Sequence, residues 1–390
     1  MRTAHTTRGT DNVSKTIRRG MVATLAASTA LVLAACGGGS SDTETTEGGD
    51  GASSSAEGGS SDMGDLSGTL AGAGASSQEN AMNGWLAGFQ EMAPGVQPSY
   101  DAVGSSGGRE QFLSGGVQFA GSDAALKEEE LSEVPATCGE PLELPLYISP
   151  IAVVYNLPDL DVDNLNLDSA TIAQLFSGEI TSWDDPAIAA QNEGVELPAV
   201  DVIPVNRADG SGTTENFMEY LSATASEAWP HEPSDVWPID GGQSGNGTSG
   251  VISTVESTEG TIGYADASRA GDLGTVALKV GEEYVPFSPE AAATAVTASP
   301  MTEDATDLRL TYELDRTTTE AGAYPLVLVS YSLACSTYED ASDAANVKAF
   351  LTYVASPEGQ DRAAQPDVAG SAPISDDLRE SVMAAIDQIS

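Results

Sequence analysis

Residues 207–214 have the sequence RADGSGTT and combine a guanidinium, three hydroxyl side chains and two glycines in a short span. An apolar run precedes them and a helical pattern follows, which predicts a turn between a strand and a helix. The free N–H groups and the dipole at a helix N-terminus favour an anion. Arg207 adds a planar fork of donors that suits a tetrahedral oxyanion, and Ser211 and Thr213 add hydroxyl donors. The stretch therefore predicts an anion-binding loop, with an ordinary well-capped helix start as the alternative.

The balance of charges limits how such a site can work. The first 35 residues hold five of the 15 Lys and Arg and one of the 59 Asp and Glu, so the remainder carries ten basic against 58 acidic residues. A surface this acidic argues against nucleic acid and against an anionic membrane as partners. Because it also repels an anion at long range, an oxyanion site here must work through local hydrogen bonds and dipoles.

Three earlier segments repeat the pattern of an apolar strand that ends in small polar residues. They end at Ser76 and Ser77, at Ser105, and at Asp123. In open α/β sheets ligands lie outside the carboxyl ends of the strands. These three loops and the loop at 207–214 therefore predict one shared site. Ser76 has a second interpretation, because Glu79 three residues later completes a capping box for a helix.

The elements around these loops indicate an α/β protein with two domains. Beyond the N-terminal segments, roughly 320 residues remain, which is more than one compact core usually holds. Two long apolar runs, 145–154 and 325–333, suit buried strands that cross between domains. Amphipathic patterns at 344–354 and 376–389 predict closing helices.

The N-terminus is typical of an export signal. Basic residues precede an apolar run that ends in Leu-Ala-Ala-Cys at Cys36 and is too short to span a bilayer comfortably. This ending resembles a bacterial lipobox, which implies removal of residues 1–35 and a lipid on Cys36; plain cleavage nearby and an uncleaved anchor are the alternatives. Arg18 and Arg19 leave the twin-arginine export route open. Residues 36–66, rich in Gly, Ser and acidic side chains, predict a flexible tether.

Cysteine and histidine are scarce after the export signal. Cys138 and Cys335 follow Cys36, and either a long-range disulfide or two lone buried thiols would fit an exported protein. No metal-ligand cluster is evident, so we expect neither a metal nor a cofactor. The one histidine after residue 35, His231, lies between prolines, which disfavours a catalytic triad built on Ser211.

Taken in order, these loops resemble the PstS family, the phosphate-binding lipoproteins of ABC-type phosphate importers. The resemblance covers residues 67–385 and rests on six motifs in the family's order: GAGAS at 72–76, GSSGG at 104–108, GSD at 121–123, RADGSGT at 207–213, GNG at 245–247 and GTIGY at 260–264. It implies a type II periplasmic-binding-protein fold, an α/β fold with two lobes, two hinge strands and a ligand cleft between the lobes. The implied boundaries are 67–148 and 324–390 for lobe 1 and 149–323 for lobe 2.

By matching positions, the resemblance implies a set of phosphate-binding residues, in which Asp209 orients the arginine. They are Ser76, Ser77, Ser105, Asp123, Arg207, Asp209, Ser211, Gly212 and Thr213. The family often has Thr-Phe where this chain has Ser76 and Ser77. The hydroxyl at the first position is therefore kept, but the aromatic ring that would pack against the site at the second position is missing. Asp123 is an acceptor facing an anion, which is favourable only if the ligand donates a proton, as hydrogen phosphate can and sulfate cannot. An Asp123 that merely caps the next turn is the alternative.

The implied function is high-affinity capture of inorganic phosphate at the extracytoplasmic face of the cell membrane. A lipid-anchored monomer would hand the phosphate to the membrane permease of an ABC importer, and no enzyme activity is expected. The alternatives are an exported phosphate-ester hydrolase, a phosphate sensor or adhesin on the same fold, and arsenate as the ligand, since arsenate also carries a proton.

Overall fold

The computed structural model describes residues 63–390. The predicted signal peptide at 1–35, the proposed lipid acceptor Cys36 and all of the predicted tether before residue 63 lie outside that part. The described chain opens with a short 3-10 turn at Met63–Asp65. Between residues 63 and 390, no helix is both long enough and apolar enough to cross a membrane.

Strands and helices alternate along the described residues, as expected for an α/β protein. The strands are β1 Gly68–Gly74, β2 Val96–Asp101, β3 Phe119–Ser122, β4 Pro141–Tyr155, β5 Leu165–Leu167, β6 Ile203–Arg207, β7 Gln243–Gly245, β8 Thr261–Asp266, β9 Gly274–Val280, β10 Glu283–Val285 and β11 Val327–Cys335. The helices are α1 Glu79–Met92, α2 Ser105–Leu113, α3 Glu128–Glu133, α4 Ser169–Ser177, α5 Pro186–Ala189, α6 Gly212–Thr224, α7 Gly247–Ser257, α8 Pro289–Thr297, α9 Ala341–Ala355, α10 Pro357–Ala364 and α11 Asp376–Ile386.

Side-chain caps account for where many of these helices begin. A Ser or Asp before the first turn accepts a backbone N–H that has no partner within the helix. The capping residues are Asp168, Asp185, Ser211, Ser288, Asp340, Ser356 and Ser375.

The strands form a sheet whose two halves meet at β4. Its order is β2-β1-β3-β11-β4-β8-β6-β7, and β9 pairs with β4, β5 and β10 off this path. We call β2, β1, β3, β11 and the first part of β4 the first half-sheet, and the rest of β4 with β8, β6 and β7 the second half-sheet. β1 runs parallel to β2 and β3, and β6 runs parallel to β7 and β8. β11 and β4 run antiparallel to their neighbours along this path.

β4 links the two half-sheets. Residues 141–150 pair with β11, and residues 151–155 pair with β8. Every residue of β4 after the first is buried, which explains the apolar run predicted at 145–154. β11 lies alongside, with Val327 opposite Pro150 at the point where β4 changes partner. The two apolar runs predicted to cross the molecule therefore lie side by side at the junction of the half-sheets.

Aromatic side chains hold helices against each half-sheet. Phe119 of β3 packs on Phe350 of α9 with ring centroids 5.1 Å apart. In the second half-sheet, Phe217 of α6 stacks on Tyr264 of β8 at 4.4 Å. The second pair fixes α6, whose first turn carries part of the RADGSGTT stretch.

Cys138 and Cys335 form a disulfide in the structure. Cys335 is the last residue of β11 and lies opposite Pro141, the first residue of β4. The bond therefore links the central strands at the end away from the junction of the half-sheets. The lobe boundaries at 148 and 323 remain a prediction.

Candidate functional site

The segments that follow the parallel strands of the two half-sheets contact each other directly, and we call the place where they meet the cleft. Thr213, in the first turn of α6 after β6, donates through Oγ1 to Asp123 Oδ2 at 2.8 Å. Ser76, from the loop after β1, lies with its Oγ 3.1 Å from Oγ1 of Thr248, in the first turn of α7 after β7. The predicted loops of both half-sheets thus meet in one place.

Arg207 is the last residue of β6, so it belongs to the strand and not to the predicted turn. Its side chain is 2% exposed. Nε donates to Asp209 Oδ1 at 2.9 Å, and Nη2 donates to Oδ2. Asp209 Oδ1 also accepts the Gly247 N–H at 2.9 Å, which links the β6 loop to the β7 loop. Because a guanidinium has more N–H donors than this pair uses, donors remain for an oxyanion.

The charge of Arg207 also sets the protonation of Asp209. Burial opposes ionisation of this carboxyl, but the hydrogen bonds and charge of Arg207 and the Gly247 N–H outweigh it and hold the pKa of Asp209 below its ordinary value. The pair is therefore an ionised carboxylate beside a guanidinium whose orientation is fixed.

Asp123 accepts hydrogen bonds from three hydroxyl groups. Ser77 and Ser330 donate to Oδ1 at 2.6 and 2.7 Å, and Thr213 donates to Oδ2. Its own backbone N–H donates to Ser105 Oγ at 3.1 Å. An ionised carboxylate has about four acceptor positions, so these bonds leave it capacity for one further donor. Since the bonds run to four separate segments, the capping interpretation of Asp123 does not describe its surroundings.

Ser76 does not cap α1, so the capping-box interpretation is wrong. The N-cap of α1 is Gln78, which makes no side-chain cap hydrogen bond. Ser76 Oγ instead accepts the backbone N–H of Thr248 at 3.0 Å, and Ser76 is 3% exposed. The hydroxyl is unavailable to the helix because it is used across the cleft.

Helix α6 begins three residues before the helical pattern that follows the RADGSGTT stretch. Ser211 is its N-cap and accepts an N–H of the first turn at 3.2 Å, so Gly212 and Thr213 belong to the helix. A Cβ at Gly212 would lie 2.7 Å from Asp123 Cβ and 2.7 Å from Ser105 Oγ. Glycine is required there because the first turn of α6 touches the opposite side of the cleft.

Comparison with known proteins identifies the family to which this chain belongs. A family model described as the PBP superfamily domain matches residues 53–358. The phosphate-binding protein PstS2 of Mycobacterium bovis is 32% identical over 328 residues, which cover 82% of this chain and 87% of that protein. The chain belongs to the PstS family. A second member of the PstS family, the phosphate-binding protein PstS 3 of Mycobacterium leprae, is 35% identical over 288 residues, or 73% of this chain and 78% of its own.

Solved structures show the fold of this PstS chain. A high affinity periplasmic phosphate-binding protein bound with phosphate aligns with a TM-score of 0.64 at 20% identity, over 81% of this chain and 93% of that one. A phosphate-binding protein from Stenotrophomonas maltophilia aligns with a TM-score of 0.60 at 19% identity, over the same shares of the two chains. The predicted α/β fold of periplasmic binding proteins is confirmed.

Three polar residues of the PstS cleft were not predicted from the sequence, namely Gln78, Thr248 and Ser330. Ser330 donates to Asp123 and accepts from Gln78 Nε2 at 2.9 Å. A signal for Ser330 was present, because a serine inside a buried apolar strand needs a hydrogen-bond partner. Thr248 follows the GNG motif directly, but its role depends on a contact with Ser76 that only the folded chain makes.

Proposed function

We propose that this chain binds inorganic phosphate outside the cytoplasm and delivers it to an ABC importer. The relatives named above are phosphate-binding proteins, and one structural neighbour was solved with phosphate. The proposed binding residues are those that the family resemblance implies, with Thr248 and Ser330 added from the geometry.

The observation that carries the proposal is the meeting of Asp123 with Arg207 and several hydroxyl groups in one cleft. Three hydroxyls already donate to Asp123, so the carboxylate can accept one more hydrogen bond. Arg207 and the N–H groups at the start of α6 are donors. A suitable ligand is therefore an oxyanion in which most oxygens accept hydrogen bonds and one oxygen carries a proton that it can donate.

Hydrogen phosphate meets these requirements at neutral pH, because it carries one proton on an oxygen. Sulfate is fully ionised and would place a bare oxygen against Asp123, which costs several kcal/mol in a desolvated site. Arsenate carries a proton as phosphate does, so this argument does not separate the two. The same arrangement thus accounts for both the attraction of the anion and the rejection of sulfate.

A hydrolase that uses Ser211 is the less favoured function. Ser211 Oγ accepts the Thr214 N–H as the N-cap of α6, and the ring of His231 packs on Trp229 with centroids 4.9 Å apart. Between residues 63 and 390, no hydrogen bond joins His231 to Ser211, and no cluster of three or more potential metal ligands occurs. We therefore propose binding without catalysis, which a chromogenic phosphate ester would test by its lack of turnover.

The proposed location is the extracytoplasmic face of the cell membrane. Lipid chains on Cys36 and the tether at 36–66 would keep a monomer near its permease despite its negative charge. We further propose two lobes, the first formed by residues 67–148 and 324–390 and the second by residues 149–323. The lobes would close on the ligand by bending near Pro150 and Val327.

Isothermal titration of the chain lacking residues 1–62 with phosphate, and then with sulfate, tests the proposal. We expect tight one-to-one binding of phosphate and no heat from sulfate at the same concentration. Equal binding of both anions, or of neither, would contradict the proposed function.

A further inference from the structure

A second group of charged and polar side chains spans the cleft beside the proposed phosphate site. We call Ser106, Arg109, Lys127, Glu215 and Asp235 the Asp235 cluster. Ser106 and Arg109 lie on α2, and Lys127 directly precedes α3, so these three belong to the side of the first half-sheet. Glu215 lies on α6 and Asp235 in the loop between α6 and β7, on the side of the second half-sheet. None of them is among the residues that the sequence or the family resemblance implied for the ligand.

The backbone of Asp235 holds the loop that carries the proposed binding residues. Its carbonyl oxygen accepts the Ser211 N–H at 2.9 Å. Ser211 is the N-cap of α6 and precedes Gly212 directly, so this bond ties the loop at Asp235 to the start of α6.

The side chain of Asp235 reaches the other side of the cleft. Oδ2 accepts a hydrogen bond from the Ser106 hydroxyl at 2.6 Å and lies 3.6 Å from Arg109 Nη2 and 4.0 Å from Lys127 Nζ. Ser106 follows Ser105, whose Oγ accepts the backbone N–H of Asp123. One residue therefore contacts the helix start on each side of the proposed site.

Two cations from the side of the first half-sheet, Arg109 and Lys127, lie next to the Asp235 carboxylate. Arg109 is 2% exposed and also donates to Glu130 at 2.8 Å, while Lys127 is 3.6 Å from Glu215. Burial opposes ionisation of Asp235, yet the Ser106 hydrogen bond and the charges of Lys127 and Arg109 hold its pKa below its ordinary value. The ionised carboxylate thus interacts with two cations that the opposite side of the cleft supplies.

We propose that Asp235 is a positioning residue for oxyanion binding, which links the first turn of α2 to the start of α6 and so slows release of the ligand. The inference rests on the proposed function, because it assigns Asp235 to the same phosphate site. Asp235 does not touch the ligand. Its contacts with Ser106 and Arg109 exist only while the two sides of the cleft are together, so their loss should accelerate opening rather than encounter.

Phosphate kinetics on the chain from residue 36 to 390, with Cys36→Ser to prevent lipidation, test this inference. For Asp235→Ala we expect the dissociation rate of phosphate to rise roughly 10- to 100-fold, the range expected when a hydrogen-bonded charge is lost. The association rate should stay within about twofold. Asp235→Asn keeps one acceptor for Ser106 but loses the charge and replaces the other carboxylate oxygen by a donor, so its dissociation rate should lie between those of the wild type and of Asp235→Ala.

A double-mutant cycle separates positioning from a merely structural role. Ser106→Ala and Asp235→Ala together should raise the dissociation rate by less than the product of their separate effects, because they remove the same bond. Asp163→Ala removes an exposed acidic residue elsewhere and should leave both rates unchanged.

The results distinguish two kinds of failure. If the wild-type chain binds no phosphate, the proposed function fails, and with it this inference. If the wild type binds phosphate but Asp235→Ala leaves the dissociation rate unchanged, or changes it independently of Ser106, Asp235 does not position the site and only this inference is overturned.

Discussion

Asp123 and Arg207 bring opposite charges to one cleft, and each has hydrogen-bond partners of a different kind. The carboxylate of Asp123 receives hydroxyl donors, whereas Arg207 is held by the carboxylate of Asp209. Asp123 and Arg207 do not form a salt bridge with each other in the structure. Each therefore keeps hydrogen-bonding capacity for a ligand, one as an acceptor and the other as a donor.

Asp123→Asn should weaken the distinction between phosphate and sulfate. The amide offers N–H donors where the carboxylate offers only acceptors, so a fully ionised oxygen no longer faces a negative charge. We expect the ratio of sulfate to phosphate dissociation constants to fall by at least about tenfold, the change that corresponds to ~1.4 kcal/mol. Titration calorimetry with each anion at pH 7 measures it, with exposed Asp163→Asn as the control. A variant that still rejects sulfate as strongly as the wild type would rule out this role for Asp123.

At the scale of elements, the helix starts are placed by glycines that allow close approach. Gly104 precedes α2 with φ +90, and a Cβ there would lie 2.5 Å from Asp209 Oδ2 and 2.8 Å from the Gly210 carbonyl oxygen. The start of α2 therefore packs directly on the Arg207 loop of the other half-sheet. A side chain at this position would push apart the two sides of the cleft.

Gly104→Ala should therefore weaken phosphate binding by roughly 100-fold or more, since two buried contacts and the Arg207 pair would have to move. Gly115→Ala is the control for positive φ, because Gly115 has φ +70 but no atom lies within 4 Å of its Cβ position. Gly104 also has ψ 158, in a region that is essentially confined to glycine, so Gly104→Ala carries the clash and the larger backbone strain together. Equal loss of affinity in the two titrations would show that strain, and not the contact across the cleft, is responsible.

The junction of the half-sheets holds a buried carboxyl group. Asp266, the last residue of β8, pairs with Ile151 of β4 and is fully buried. Burial raises the pKa of Asp266 to about 6, although the Ser268 N–H and the Tyr147 hydroxyl donate hydrogen bonds to it. The Tyr147 hydroxyl lies 3.0 Å from both carboxylate oxygens. The folded chain therefore binds a proton at Asp266 more tightly than the unfolded chain does.

Asp266→Asn should change how stability depends on pH. Because the folded pKa lies above the unfolded value of 3.8, the contribution of Asp266 to the free energy of unfolding falls as pH rises from about 4 to about 6 and stays low above that. The difference in unfolding free energy, variant minus wild type, should increase by roughly 2 kcal/mol between pH 4 and pH 7. Urea unfolding at one-unit intervals of pH measures this difference, and a constant difference would contradict the assignment.

At the scale of the whole molecule, charge opposes the proposed function. Residues 36–390 carry ten basic against 58 acidic residues, so a phosphate ion approaches a strongly negative protein. Several of the few cations lie near the cleft, but each has an acidic partner there, as Arg207 has Asp209 and Arg269 has Glu79. Binding must therefore depend on short-range contacts after the ion has entered.

Salt should accelerate phosphate association. The distance over which charges are screened shortens from about 30 Å at 0.01 M to about 8 Å at 0.15 M ionic strength, which weakens the long-range repulsion. We expect the association rate to rise by roughly two- to tenfold over this range, with a much smaller change in the dissociation rate. Stopped-flow measurements in sodium chloride test this, and an association rate that falls with salt would indicate a positively charged entrance instead.

The sequence predicted much of the fold because its signals were local. Apolar runs identified β4 and β11, and the RADGSGTT stretch identified the loop between β6 and α6. Predictions that concerned individual hydroxyl groups were less accurate. Ser76 fitted a capping box but bonds to Thr248, and Ser330 lay in a run read only for its apolar character.

The sequence alone determined the family, the α/β fold and the types of residue available to the site, since these depend on motifs and on periodic patterns along the chain. Tertiary structure alone decided that Asp123 receives donors from Ser77, Thr213 and Ser330, and that Asp235 reaches Ser106. These bonds join residues far apart in the chain. They exist because β4 and β11 bring two half-sheets together, and no local pattern records which side chains then come within hydrogen-bonding distance.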